Sequence, residues 1–167
     1  EKELSLKFTI NVNDIKFYIS GRADGLMLLE VFYIIDEIKS TAKSLNNCEA
    51  EDVHLAQAKF YAYIYALDNN LANIGVNVTY YSLYDQDFRS FEHEYEIEEL
   101  ETYVMYIVKT YSLFCMMIER LKDERDKSIL SLDFPFDSYR KGQKKMINDV
   151  YRAINQKKRL FVKAPTG

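Results

Sequence analysis

Three charged residues near the N-terminus have the types and spacing that metal-assisted chemistry requires. Asp24 stands at the head of one short apolar run, and Glu37 and Lys39 stand at the end of the next. Side chains two positions apart on a β-strand share a face, so Glu37 and Lys39 are predicted to lie side by side. Two carboxylates offer the oxygen ligands that Mg2+ or Mn2+ prefers, and a nearby ammonium can orient water and offset developing charge. The alternative interpretation is an exposed strand end with solvated charges.

The apolar runs predict the hairpin that would bring Asp24 level with the other two residues. Residues 26–29 and 31–35 are apolar, and the second run has the β-branched and aromatic character of a buried strand. About two residues near Glu30 separate the runs, which is hairpin spacing. The turn holds neither Gly nor Asn, and a slip of one residue there would point Asp24 away from Glu37.

Hydrophobic periodicity places this hairpin at the start of an α/β domain. Alternation predicts strands over 4–12 and 15–19, so the first forty residues form an antiparallel meander. A polar loop over 44–50 precedes a helix from about Asp52 to Asn69. Strands over 75–84 and 88–97 and a long amphipathic helix over about 98–126 follow. The predicted architecture is a mixed central sheet flanked by helices.

The helix predicted over 52–69 carries polar-tipped side chains beside its core stripe. With about 100° per residue, the core stripe comprises Val53, Ala56, Phe60, Tyr63, Ile64 and Leu67. A narrow arc next to it holds His54, Gln57, Tyr61 and Tyr65. The arc is either a solvated flank with tyrosines whose hydroxyls reach water, or a face with a function.

Charge divides the chain into two segments. Residues 1–133 hold 13 Lys and Arg against 24 Asp and Glu, whereas residues 134–167 hold nine against two. The shift predicts a boundary between residues 133 and 134. The acidic main domain lacks the global basic footprint of many nucleic-acid binders, so a polyanion would have to be attracted by metal ions and local patches. In the basic tail, Pro135 interrupts regular structure, and a helix over 139–155 and a short strand over 159–164 are predicted.

Size and composition exclude several classes of protein. With 167 residues and 48% hydrophobic residues the chain can build a sizeable core, yet no apolar run approaches the ~18 residues of a membrane span. Its first residues do not resemble a signal peptide. Two cysteines at unrelated spacing indicate a reduced, cytoplasmic setting and are too few for a four-cysteine zinc or iron–sulfur site.

Three short motifs, taken in order, resemble those of a known nuclease family. G-R-A-D-G at 21–25, D-E-I-K-S at 36–40 and Q-A-K-F-Y at 57–61 resemble the PD-(D/E)XK nuclease superfamily, in particular its RecB-like exonuclease branch. The resemblance covers roughly residues 1–130 and implies a restriction-endonuclease-like core. Relatives often carry a preceding helix with a further metal ligand, and some carry four cysteines. Both are missing here, so one or two metal ions remain open and no cluster is expected.

The resemblance also implies roles for particular residues. Asp24, Glu37 and the backbone carbonyl of Ile38 would bind Mg2+ or Mn2+, and Lys39 would position or activate the attacking water. From the neighbouring helix, Gln57 and Tyr61 would orient the DNA backbone or the lysine. His54, one turn earlier on the same face, is a further substrate-binding candidate that the family pattern does not include.

The tail resembles a different family. F-P-F-D-S-Y-R-K-G-Q-K-K-M and L-F-V-K-A-P-T-G resemble the start of an XPD/DinG-type superfamily 2 helicase. The resemblance implies that Arg140 and Gln143 contact adenine and that Gly167 belongs to the opening of a phosphate loop. The Gly-Lys-Ser/Thr that such a loop needs is absent from these residues. ATP is therefore expected only in a longer protein that carries the rest of the helicase.

Together these features predict a metal-dependent DNA nuclease at residues 1–133 and a truncated helicase entrance at 134–167. The expected substrate is single-stranded DNA or DNA with free ends, exposed by a helicase domain in the same polypeptide, with no membrane partner. One alternative is a catalytically silent nuclease-like module that docks DNA or a partner, which the acidic balance favours and the intact Asp24, Glu37 and Lys39 oppose. Another is an unrelated hydrolase, such as an acyl-transfer enzyme, which no Gly-x-Ser-x-Gly or Cys/His signal supports.

Overall fold

A computed structural model describes residues 2–42, 44–46 and 48–163 of the chain. Within these ranges the elements are, in chain order, β1 (Lys2–Val12), β2 (Ile15–Leu29), β3 (Phe32–Thr41), α1 (Asp52–Asn69), β4 (Asn73–Ser82), β5 (Asp87–Glu96), α2 (Ile97–Leu130) and α3 (Gln143–Asn155). The chain divides into two compact units, Glu1–Arg120 and Leu121–Gly167.

The first unit is built on an open five-stranded sheet with the order β1-β2-β3-β4-β5. The first three strands form an antiparallel meander, and β5 is antiparallel to β4. β3 and β4 are parallel, so the chain must cross over between them, and α1 makes this crossover. The fold is therefore α/β with a mixed sheet, as predicted, and is consistent with a restriction-endonuclease-like core.

Helix α1 packs on the sheet through a line of alanines together with Tyr63 and Ile64, the middle of the predicted core stripe. Ala58, Ala62 and Ala66, spaced four residues apart, are all fully buried. The predicted stripe is wrong at its two ends, where Val53 and Leu67 are exposed. The small alanine side chains let the helix backbone lie close to β3 and β4.

Replacing Ala62 with leucine is expected to lower the free energy of unfolding by about 1–3 kcal/mol, because the added carbons have no room between helix and sheet. Urea denaturation measures the change. The matched control is Val53→Leu on the same helix, where the exposed side chain should change stability by no more than about 0.5 kcal/mol. Equal stability for the two variants would contradict this description of the interface.

One strand of the sheet is longer than its side-chain pattern indicates. The sequence predicts separate strands over 15–19 and 26–29, but the structure has a single strand, β2, over the whole of Ile15–Leu29. The intervening residues, S-G-R-A-D-G, lack an apolar alternation, yet their backbone still pairs with β1, for example Ser20 with Lys7 and Ala23 with Leu4. Ladder hydrogen bonds do not depend on apolar side chains, so the pattern alone misses this connection.

The second unit differs from the sequence prediction at both ends of its helix. Helix α3 begins at Gln143 rather than at 139 because Gly142 has a φ of 92°, which is incompatible with a right-handed helix. The strand predicted over 159–164 is wrong for residues 159–163, which are irregular, and residue 164 lies outside the described residues. No helix in the described part of the chain is long and apolar enough to cross a membrane.

Candidate active site

The site lies where two strands of the sheet diverge. β2 pairs with β1 up to Gly25 and with β3 from Gly25 onward. The alternation of core-facing side chains along β2 also shifts here. Ala23, at an odd position, is buried, whereas after the shift Leu26, at an even position, packs on the core. Such a shift has the character of a bulge, a device that re-aims a side chain. It leaves Asp24 exposed at the fork, where its Oδ2 accepts a hydrogen bond from the Ile38 backbone N–H at 2.8 Å.

The predicted hairpin between β2 and β3 is confirmed. Leu29 pairs with Phe32, so the turn consists of Glu30 and Val31. Glu30 takes a left-handed conformation with a φ of 57°. In such turns glycine or asparagine usually occupies this conformation. The resulting register sets Gly25 opposite Asp36 and brings Asp24 to the level of Glu37.

Four side chains join β3 to α1 through a continuous chain of hydrogen bonds. The Lys39 ammonium donates to Glu37 Oε1 at 2.5 Å and to Gln57 Oε1 at 3.2 Å. Gln57 in turn donates through Nε2 to the Tyr61 hydroxyl at 3.2 Å. Residues that the sequence places 24 positions apart, from 37 to 61, thus form one connected group. Lys39 is held from two sides by oxygen atoms, so its ammonium has a fixed position.

Glu37 has the environment of a carboxylate that is built to receive a cation. Its side chain is only 2% exposed, and its Oε2 atom has no hydrogen-bond partner among the described residues. Burial raises the pKa of the Glu37 carboxyl, the hydrogen bond from Lys39 opposes that rise, and the nearby Asp24 charge adds to it. A buried, partnerless carboxylate oxygen beside a second carboxylate is costly unless a positive charge compensates it. The donor set therefore fits a divalent metal ion.

This donor set contains two carboxylates rather than three or more. Within the described residues, no group of three or more His, Cys, Asp and Glu side chains could hold a metal ion. Asp24, Glu37 and the Ile38 carbonyl suit a hard cation such as Mg2+, which binds through one or two carboxylates and completes its shell with water and phosphate oxygens.

Asp36, next to Glu37 in sequence, belongs to the opposite face of the sheet. Its Oδ1 accepts hydrogen bonds from Asn77 at 2.9 Å and Thr79 at 3.2 Å. Burial raises the pKa of Asp36, and the two hydrogen bonds oppose that rise. Strand alternation separates the two acids, so Glu37 and not Asp36 shares a face with Lys39.

His54 lies beside this group but is held by other residues. Its Nδ1 is 2.8 Å from the Tyr80 hydroxyl, which also accepts the Glu51 backbone N–H at 2.9 Å. Tyr80 thus ties the start of α1 to β4. Tyr80 lies in the strand predicted over 75–84, and nothing in the sequence pattern marks it as part of a site. Its proximity to the site follows from the register, which sets it beside Lys39 across the parallel pair. The crossover through α1 sets the register of this parallel pair, and hydrophobic periodicity does not indicate it.

The nucleotide-binding candidates belong to the second unit. Arg140 donates its backbone N–H to Gln143 Oε1 at 2.6 Å, at the start of α3. Gly167 lies outside the described residues.

Comparison with known proteins adds little to this geometry. No family model matches the chain, and no curated protein matches it. Among solved structures, the chain is similar to the crystal structure of SSO0001, with 21% sequence identity and a TM-score of 0.42 over 64% of this chain. The match spans 50% of the SSO0001 chain, so this chain corresponds to about half of that protein's length. A likeness this distant carries no information about function.

Proposed function

We propose that this chain is a metal-dependent DNA nuclease of the PD-(D/E)XK type, an exonuclease that hydrolyses phosphodiester bonds in single strands or at free ends. The observation that supports this best is the connected group Glu37–Lys39–Gln57–Tyr61 with Asp24 at the adjacent strand fork. Its order and its placement on β2, β3 and α1 agree with the motif order of that superfamily. The acidic balance of residues 1–133 fits a silent docking module better, and the cleavage test below distinguishes the two.

Each residue of the group has a chemical task in this proposal. Asp24, Glu37 and the Ile38 carbonyl would hold Mg2+ or Mn2+, which when bound would supply Lewis-acid stabilisation of charge on the phosphate. Lys39 positions the attacking water and offsets the negative charge that develops on the phosphate oxygens. Gln57 fixes the Lys39 ammonium through its Oε1 atom and links it to Tyr61. Tyr61 would contact the DNA backbone, and so would His54 through the side of its ring that does not face Tyr80.

The second unit fits the same proposal as the entrance of a helicase in a longer, cytoplasmic polypeptide. Its basic charge and its Arg140 and Gln143 agree with the start of an XPD/DinG-type ATPase. A helicase would supply the single strands on which the nuclease acts, and ATP would bind only in that longer protein.

The test is a cleavage assay with end-labelled single-stranded and duplex DNA. The chain should cleave the single strand with Mn2+ and not with EDTA, and a Glu37→Ala variant should be inactive. Equal cleavage by both proteins would overturn the assignment of the active site. Absence of cleavage by the natural sequence, with Mn2+ binding absent as well, would favour the docking module.

Gly21 on β2 is predicted to control the position of Tyr61. A Cβ atom at residue 21 would lie 2.5 Å from both the Tyr61 ring and its hydroxyl, so Gly21→Ala must displace that side chain. Displacement of about 1 Å at such a site costs on the order of 100-fold in rate, and we expect a loss of that size. Single-turnover cleavage measures it. Gly21→Ala combined with Tyr61→Phe should be no worse than Gly21→Ala alone, and additive losses would contradict the contact.

A further inference from the structure

The exposed face of the β1–β2 hairpin departs from the charge of the domain around it. Eight exposed side chains on this face are paired across the two strands: Ser5 with Arg22, Lys7 with Ser20, Thr9 with Tyr18, and Asn11 with Lys16. These residues, hereafter the hairpin strip, include three cations and no carboxylate. Residues 1–133 as a whole hold nearly two acids for each base. A local basic patch of this kind is what an acidic domain would need to attract a polyanion.

The cations of the strip are available for a ligand. Within the described part of the chain, neither Lys7 nor Lys16 lies within salt-bridge distance of a carboxylate. Arg22 pairs with Glu3 at 3.3 Å, but both side chains are about two-thirds exposed, so the pair is weak and can yield to a phosphate.

An exposed aromatic ring lies among these cations. Tyr18 is 74% exposed, and the Lys16 ammonium lies 5.0 Å from the centre of its ring. Basic groups that follow a phosphate backbone, with an aromatic ring on which a base can stack, are the usual means of binding single-stranded nucleic acid.

The strip ends beside the strand fork that holds Asp24. Its β2 members are Lys16, Tyr18, Ser20 and Arg22. They point away from α1, because Gly21 between them faces Tyr61 of that helix. Asp24 follows two residues after Arg22, at the point where the alternation shifts, and two residues of a strand span about 6.6 Å.

We propose that the hairpin strip binds single-stranded DNA and guides it to Asp24, with Lys7, Lys16 and Arg22 holding phosphates and Tyr18 stacking on a base. This inference rests on the proposed function, because that function supplies the substrate. It adds a binding surface on β1 and β2 that none of the nuclease motifs includes.

The test is equilibrium binding of a fluorescent single-stranded oligonucleotide to the whole chain in EDTA, at several salt concentrations. For Lys7→Ala/Lys16→Ala, the slope of log K against log salt should fall by about 1.4, since each lost phosphate contact on a single strand contributes about 0.7. The control, Lys109→Ala/Lys127→Ala, removes the same charge from exposed positions on α2. Equal slopes for the two variants would overturn the proposal, as would equal affinity of the natural sequence for duplex DNA.

Tyr18→Ala gives a second, independent readout. It should weaken binding of a normal oligonucleotide by at least about fivefold and leave binding of an abasic one unchanged. An equal loss on both oligonucleotides would rule out base stacking. Because binding is measured in EDTA, failure of the strip leaves the cleavage test intact. Strip-dependent binding without any cleavage would instead overturn the proposed function alone.

Discussion

Replacing Glu37 with glutamine is expected to abolish metal-dependent cleavage while leaving the fold intact. Glutamine matches the shape of glutamate and keeps an oxygen for the Lys39 hydrogen bond, but it removes the negative charge that would hold the metal. Loss of even an outer partner of a metal ligand costs about 10- to 100-fold in metal affinity, so loss of the ligand charge should cost at least about 100-fold. Isothermal titration with Mn2+ and single-turnover cleavage measure the two effects.

Without metal, Glu37→Gln should not lower the free energy of unfolding, although it abolishes cleavage. Burial raises the pKa of Glu37 above its ordinary value of 4.5, so near neutral pH the folded state holds a carboxylate in an unfavourable position. Between the ordinary and the raised pKa the folded state binds more protons than the unfolded state, so stability of the natural sequence falls as pH rises through that range. Glu37→Gln removes this loss. Glu37→Gln should therefore be at least as stable as the natural sequence at pH 7. This advantage should shrink as the pH falls below the ordinary pKa of Glu37.

Thermal unfolding with and without Mn2+ measures both the loss of metal binding and the stability of Glu37→Gln. Saturating Mn2+ should raise the unfolding temperature of the natural sequence and not that of Glu37→Gln, because only a ligand that binds the folded state stabilises it. A variant that unfolds at a much lower temperature in EDTA would show that Glu37 serves the fold rather than a metal.

Replacing Lys39 with methionine is expected to lower the cleavage rate by about 100- to 10,000-fold, the range seen when a positioned proton-transfer group is lost. Metal binding should persist. Methionine keeps the length of the side chain and removes the ammonium, which Glu37 and Gln57 hold from two sides. Lys39→Arg should not restore the rate, since a planar guanidinium cannot occupy the position of a compact ammonium.

Cleavage measured at saturating Mn2+ separates this effect from loss of metal. The control is Lys109→Met, a lysine on the exposed face of α2 that should retain full activity. If Lys39→Met cleaves at the rate of that control, Lys39 is a structural partner of Glu37 and takes no part in the reaction.

Local patterns account for the core of the site. Strand alternation set Glu37 and Lys39 on one face, and the spacing of two apolar runs gave the hairpin that carries Asp24 to them. Gln57 and Tyr61 could be placed on one arc of a helix, but nothing local indicated that the arc faces Lys39. That contact depends on how α1 packs on the sheet, which the alanine line decides.

The features that sequence patterns missed depend on tertiary geometry. The change of partner at Gly25 aims Asp24 at Ile38, and it arises where a polar, glycine-containing stretch joins what looked like two strands. Tyr80 reaches His54 only because the crossover sets the register of the parallel pair. Neither contact can be inferred from the hydrophobic periodicity of the sequence.

The most direct test of the central claim is diffraction from crystals of the chain grown with Mn2+ and a short, cleavage-resistant single-stranded oligonucleotide. The proposed function predicts an anomalous scattering peak at the strand fork, ligated by Asp24 and Glu37 and in contact with a phosphate of the DNA. A fork without a peak at saturating Mn2+, with Glu37 Oε2 still lacking a partner, would contradict it.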